Sequence, residues 1–315
     1  MSARSPLVRA LLAGLVLLAL PGAARAGDAG WKLVWADEFD GSAIDRKRWG
    51  FDVDCWGGGN NERQCYTASP RNAAIEDGKL VITARMEPAR GPALPRALRV
   101  GAAVPDAEVS KDFTSARLTT HGKAAWRYGK IEVRAQLPQG QGLWPAIWLL
   151  PEANSYGHWP ASGEIDILEA VNLGVACAQC PTGREDTVLG TIHFGKPPPH
   201  NLHAGSEFHY PAVLEGFHTF AVEWQEDRIT WLVDGQPYGT RQVAEWHQPD
   251  AKSPGAPFDK PFHLILNLAV GGGLAEGRGL GGVDPGGFPK RFVIDWVRVW
   301  QKDGAADNNG ARKDK

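Results

Sequence analysis

Three carboxylic acids fall within six residues of the segment Gly163-Glu164-Ile165-Asp166-Ile167-Leu168-Glu169-Ala170. Two carboxyl groups flanking a glycosidic bond are enough to hydrolyse it: one attacks or activates water, and the other protonates the departing oxygen. The stereochemical outcome follows from their separation, roughly 5–5.5 Å for retention and about 6.5–9.5 Å for inversion. A third acid between the two adds electrostatic control, because close negative neighbours resist ionising together and one is left with a raised pKa. The competing reading is a solvated strand edge whose acids discourage edge-to-edge aggregation.

The element that must carry these acids is a strand, since Ile165, Ile167 and Leu168 suit a pleated, half-buried surface. Side chains alternate with period two, so Glu164 and Asp166 share a face while Glu169 on a regular strand points the opposite way. One extra residue near Ile167 and Leu168, a β-bulge, returns Glu169 to the side of the other acids. Alternate strand positions lie ~6.6 Å apart at the backbone. The outer pair must therefore lean inward over Asp166.

The rest of the chain also alternates. Leu80, Ile82, Ala84 and Met86 share one face, as do Ile131, Val133, Ala135 and Leu137. Phe220, Val222 and Trp224 follow the rule, then Ile229, Trp231 and Val233, and Trp296, Arg298 and Trp300 oppose Val297 and Val299. Asp77-Gly78 and Asp234-Gly235 separate such runs and predict hairpin turns. Many strands joined by Gly- and Pro-rich turns predict an all-β fold, an antiparallel β-sandwich. Pro88–Asp112, Leu173–Asp186 and the glycine-dominated Gly271–Pro289 are long loops, the kind that carry function or move. No internal repeat and no second domain are evident.

Composition bounds the function. Residues 1–26 place Arg4 and Arg9 before an apolar run, Ala10–Leu20, and end in Ala24-Arg25-Ala26, the pattern of a secretory signal peptide. A single domain is expected over residues 27–301, with a small, charged, disordered tail at 302–315. The formal charge of the 315-residue chain is −2, and loss of Arg4, Arg9 and Arg25 takes it to −5 (−2 minus 3). A mildly acidic chain with 13 tryptophans is a poor candidate for nucleic acid, and after leader cleavage nothing remains that would hold it in a membrane. Export permits disulfides. Of the three connectivities open to four cysteines, local pairing of Cys55 with Cys65 and of Cys177 with Cys180 is the simplest. Free thiols are the alternative.

Trp159-Pro160-Ala161-Ser162 leads into the acids, and Gly142-Leu143-Trp144-Pro145-Ala146-Ile147-Trp148-Leu149 precedes them. With Asp37-Glu38-Phe39-Asp40-Gly41, Tyr128-Gly129-Lys130-Ile131-Glu132, Gly190-Thr191-Ile192-His193 and Asp295-Trp296-Val297-Arg298-Val299-Trp300, the chain resembles glycoside hydrolase family sixteen, in its laminarinase-like, bulged-motif branch. The resemblance implies a curved jelly roll with a substrate cleft on its concave face. It implies a secreted or periplasmic endo-β-1,3-glucanase that retains configuration, with Glu164 as nucleophile, Glu169 as general acid/base and Asp166 tuning both. No catalytic cofactor is expected, the partner is a β-glucan, and a monomer is expected.

Further site residues follow from the same resemblance and from residue type. Indole rings pack on pyranose faces, so Trp144, Trp159 and, on the same strand face as Trp144, Trp148 are candidate substrate-binding residues, with core packing as the alternative. Asn61, in the loop between the first two cysteines, is a candidate for sugar hydroxyls, or else an ordinary turn residue. Arg85 alternates with the core face of its strand and either lines the cleft or is solvated. His193 resembles the family histidine near the acid/base. Glu38, Asp295 and the Gly78 carbonyl resemble a structural Ca²⁺ site that ties the chain ends, against a reading as ordinary strand-edge acids hydrogen-bonded to backbone. Mixed-linkage β-1,3-1,4-glucan and agar-type galactan are rival substrates, transglycosylation a rival reaction, and a non-catalytic β-glucan-binding protein the rival from another class.

Overall fold

The computed structural model describes residues 30–99, 102–104, 107–247 and 251–302. The expected leader lies outside the described residues, as does the tail apart from its first residue. Lys302 does not open a tail: it closes the strand Lys290–Lys302, opposite Trp31. From Trp31 onward the chain forms one unit.

Two antiparallel sheets face each other. One runs, in spatial order, Asn201–His209, Thr187–Gly195, Glu164–Glu169, Leu143–Pro151, Phe262–Val270, Arg117–Thr119 and Gly50–Asp52. The other runs Gln236–Gln242, Arg228–Val233, His218–Trp224, Gly129–Gln136, Lys290–Lys302, Lys79–Ala84 and Ala73–Glu76, and Trp31–Asp37 also pairs with Lys290–Lys302. The first and last strands of the chain are therefore neighbours, as in a jelly roll. Described helices are three short turns, Arg96–Arg99, Val243–Trp246 and Gly273–Glu276, and one 3₁₀ turn, Pro211–Leu214. Among the described residues no helix is long and apolar enough to cross a membrane.

The alternation seen in the sequence builds the core. Ile147, Leu149, Ile165, Leu264, Leu266 and Leu268 from the first sheet meet Leu80, Ile82, Ile131, Val133, Phe220, Val222, Val297 and Val299 from the second. Met86, beyond its strand, departs from the pattern and is exposed. Both Asp-Gly pairs form two-residue hairpin turns with φ positive at each residue, 49° and 69° at Asp77-Gly78 and 49° and 76° at Asp234-Gly235. That is the conformation short antiparallel hairpins need. The segment 88–112 forms its own hairpin, Ala89–Pro92 against Glu108–Lys111. Both local disulfides are present, Cys55–Cys65 and Cys177–Cys180.

The strand of acids is bulged where the sequence requires. Against Leu143–Pro151 the register runs Leu149↔Ile165 and Trp148↔Asp166, then Ile147↔Leu168 and Ala146↔Glu169, which leaves Ile167 without a partner. Ile165, Ile167 and Leu168 are all buried, so the extra residue is absorbed on the core side. A bulge frees backbone groups that need partners when buried. Here the Trp231 indole N–H, reaching across the core from the opposite sheet, donates to the Asp166 carbonyl at 2.7 Å. Gly190 on the adjoining strand leaves room for that ring, since a Cβ there would sit 2.4 Å from the indole.

Trp231→Phe is therefore expected to cost about 2–3 kcal/mol, by orphaning the Asp166 carbonyl and leaving a small void. A urea denaturation midpoint unchanged from wild type would show that the cross-core bond does not support the bulge.

Candidate active site

The bulge delivers what the spacing requires: Glu164, Asp166 and Glu169 all line one groove on the outer face of the first sheet. Trp144, Ala146 and Trp148 from one neighbouring strand and Asn267 and Ala269 from the next complete its floor. The two alanines keep the floor low. Gly58, Asn60, Glu62 and Tyr66, from the loop joined by the first disulfide, supply a wall.

Each outer glutamate is held by an indole. Trp159 Nε1 donates to Glu164 Oε2 at 2.7 Å, and Trp144 Nε1 donates to Glu169 Oε1 at 3.0 Å. One oxygen of each carboxyl is thereby fixed, and the other remains for chemistry. Asp166 lies between them and is almost fully buried, 2 % exposed. His193, paired in register with Glu164, presents Nε2 3.2 Å from Asp166 Oδ2 and 3.9 Å from Glu164 Oε1. It stands at the Glu164 end of the groove, whereas the sequence reading set it beside Glu169.

Burial sets the electrostatics. It pushes Glu164 up to about 8, with help from the Asp166 charge, while the His193 imidazole and the Trp159 bond pull the other way. Burial and the Glu164 charge push Glu169 up to about 7, opposed by His193, the Trp144 bond and Arg278. Asp166 is raised well above the ordinary range, first by burial. The sequence reading expects one raised carboxyl; the structure raises all three, and Glu164 more than Glu169. At neutral pH the triplet therefore keeps protons. Glu164, pushed to about 8, and Glu169, pushed to about 7, titrate together with Asp166, so the protons are shared across the three carboxyls.

Other sequence expectations meet the structure unevenly. Trp148 lines the groove, but its Nε1 is committed to Asn267 Oδ1 at 2.7 Å and its ring lies under Arg117, 4.6 Å from the guanidinium. Trp159 is 42 % exposed, available to a ligand as well as to Glu164. Asn61 is exposed and takes a left-handed turn, φ 61°, while its neighbour Asn60 lines the groove. Arg85 is not at the site. It extends from Lys79–Ala84, in the opposite sheet, and its Nε donates to the Arg71 carbonyl at 2.8 Å. The groove's arginine is Arg117.

A polar network that the sequence reading missed braces the floor against the wall. From Trp148 it passes to Asn267, whose Nδ2 donates to Tyr66 Oη at 3.0 Å, and Tyr66 donates on to Glu62 Oε2 at 3.2 Å. Gln64 Nε2 also donates to Glu62 Oε2, at 2.6 Å, and its Oε1 accepts the Val270 N–H. Tyr66 and Asn267 alone are 201 positions apart in sequence; only the fold joins them. The glycine-rich segment after Val270 is likewise tied down. Asn172 and Gln141, both buried, donate to the Ala275 and Arg278 carbonyls. Arg278, so held, pairs with Glu207 across from Glu169.

The residues expected to hold calcium do not fit that ion. Both Glu38 oxygens accept from Arg298, at 2.8 and 2.9 Å. Asp295 is paired with Arg134, and Lys79 lies 3.8 Å away. Three cationic side chains already neutralise the two carboxylates, and a divalent cation would have to displace them. Their partners are arginine side chains, where the alternative reading expected backbone.

Glycosyl hydrolases family 16 matches residues 61–298 of the chain. This chain belongs to that family. It is 41 % identical over 298 residues to a β-glucanase of Rhodothermus marinus, covering 92 % of this chain and 93 % of the relative. It is 42 % identical over 277 residues to a glucan endo-1,3-β-glucosidase of Cryptopygus antarcticus, covering 86 % and 92 %. The crystal structure of the laminarinase from Rhodothermus marinus superposes with a TM-score of 0.69 at 39 % identity, over 86 % of this chain and 98 % of that one. The jelly-roll fold and the glycoside hydrolase class follow from membership of the family, and that chemistry requires no catalytic cofactor.

A carboxyl whose folded pKa exceeds its unfolded value favours the fold at low pH, and that advantage is lost as pH rises through the folded value. For Glu164 the window runs from about 4.5 to about 8. Glu164→Gln is accordingly expected to raise stability above pH about 8 by on the order of 2 kcal/mol, the full shift being reduced by the open side of the groove, and to make little difference near pH 4. Thermal melts of both proteins across this range provide the check. Equal destabilisation at every pH would contradict it.

Proposed function

We propose that the chain is an exported, endo-acting β-1,3-glucanase that cleaves laminarin-type glucan with retention of configuration. The observation that carries the reading is the pair of glutamates on one face of a bulged strand, each anchored through one oxygen by an indole N–H. The similarity to the Rhodothermus and Cryptopygus enzymes directs the choice of substrate.

Glu164 attacks the anomeric carbon while Glu169 gives its proton to the leaving oxygen, forming a glycosyl-enzyme. Glu169, now ionised, takes a proton from water, which displaces Glu164 with a second inversion. Asp166 tunes the pair by holding the proton that Glu164 must be without. Trp144 and Trp159 position the two carboxyls and offer ring faces to the sugars on either side, and Trp148 with Arg117 forms a plate further along the floor. A sugar in place of water would divert the same intermediate to transglycosylation. The leader at residues 1–26 directs export, a monomer suffices for this chemistry, and no structural calcium is needed. Added Ca²⁺ should leave the melting temperature of dialysed protein unchanged, and a clear rise would restore the ion to the chain ends.

Digestion of laminarin, lichenan and agarose, with products resolved by chain length, tests the assignment. Mixed short β-1,3-oligosaccharides are expected from laminarin, and Glu164→Gln should lower turnover roughly 10⁴-fold or more while remaining folded. Release from lichenan alone would move the substrate to mixed-linkage glucan. No reducing ends from any of the three would favour a binding protein, and undiminished turnover by the variant would remove Glu164 from its role.

Glu169 must be protonated and Glu164 ionised, so kcat/KM is expected to be bell-shaped, with its maximum between about 7 and about 8 and a fall on either side. A pH profile flat from roughly 6 to 9 would contradict the assignment.

A further inference from the structure

Three neighbouring strands of the cleft-bearing sheet end side by side, and each brings a potential metal ligand to the same place. His121 follows Arg117–Thr119, Glu152 directly follows Leu143–Pro151, and His263 is the second residue of Phe262–Val270. One ligand atom from each lies within 4.8 Å of the others. His263 is 7 % exposed. Its Nδ1 and the Glu152 Oε2 are 3.3 Å apart, at ion-pair distance, and each is enclosed by protein without a well-aligned hydrogen bond.

Buried polar atoms are nearly always well bonded, so a buried pair this loosely aligned leaves room for a shared partner. Ligands 2.0–2.2 Å from a tetrahedral zinc stand about 3.4 Å from each other, close to the spacing seen here. The remaining contacts suit that use. Glu152 Oε1 accepts the Gly122 N–H at 2.9 Å, which fixes the carboxylate and leaves Oε2 to the site. The His121 N–H donates to Thr119 Oγ1 at 3.1 Å, and its exposed ring stands 4.7 Å from the His263 ring, centroid to centroid. A turn of the His121 side chain closes the set.

We propose that His121, Glu152 and His263 bind one divalent transition-metal ion of the zinc class, with water completing the shell. Two imidazoles and one carboxylate suit zinc, nickel or copper and not the hard cations, which take oxygen ligands. The ion would fasten three adjacent strands of the sheet that carries the groove, apart from the reaction itself. The inference stands independently of the substrate assignment.

The test uses the full chain, stripped with chelator, dialysed and titrated with zinc chloride by calorimetry, with a thermal melt before and after. One equivalent should bind and raise the melting temperature, because an ion that binds only the folded state stabilises it. His263→Asn should weaken binding about 100-fold, and His121→Ala, at an exposed position that leaves folding intact, about tenfold. Glu164→Gln should bind zinc as wild type does, which separates this site from the Glu164, Asp166 and His193 cluster. No heat and no thermal shift, undiminished affinity in His121→Ala, or binding lost in Glu164→Gln would each overturn the proposal.

Discussion

One residue too many in a single strand governs this molecule. Ile167 has no partner across Leu143–Pro151, and because of it Glu169 faces the groove while Ile165, Ile167 and Leu168 stay in the core. Side-chain period in a strand is two, so an unbulged run of the same six residues would put Glu169 in the hydrophobic interior, at a cost no nearby cation relieves. The arrangement needs support from the opposite sheet, and Trp231 provides it through the bond to the Asp166 carbonyl. Core packing and carboxylate geometry are thus one problem with one solution.

The consequence is electrostatic. Three carboxyls drawn into a groove floored by alanines and tryptophans lose water, and all three rise in pKa. That is unfavourable for folding at neutral pH and favourable for proton transfer there, a trade common to reactive sites. Indole N–H donors hold the outer two without adding charge. His193 and Arg278 supply the moderating positive influence from two directions. The Trp148–Asn267–Tyr66–Glu62 chain keeps the walls at fixed width around the acids.

Much of this was legible in the sequence. Period-two runs, two Asp-Gly turns and the offset between Asp166 and Glu169 were local patterns, and each led to the strand, hairpin or bulge observed. What was not legible depended on which sheet a strand joins. Arg85 alternates as a cleft residue would, but its strand lies in the other sheet, and alternation alone does not distinguish them. Asn61 and Asn60 are equivalent as residue types, and the left-handed turn at Asn61 selects Asn60 for the groove. Asp295 lies on the last strand as expected, while Glu38 falls one residue beyond the first, and their partners Arg298 and Arg134 come from register, which the sequence does not display. The pKa order within the triplet required burial, which only coordinates supply.

The bulge turns both glutamates into one groove, and the proposed reaction is covalent attack by Glu164 on an anomeric carbon. The most direct measurement is proton NMR of the anomeric signals during the first turnovers on a β-1,3-glucan, before mutarotation. The account requires the β-anomer to appear first, the product of two successive inversions through a glycosyl-enzyme. First appearance of the α-anomer would mean a single displacement by water, and Glu164 would then be a base and not the nucleophile.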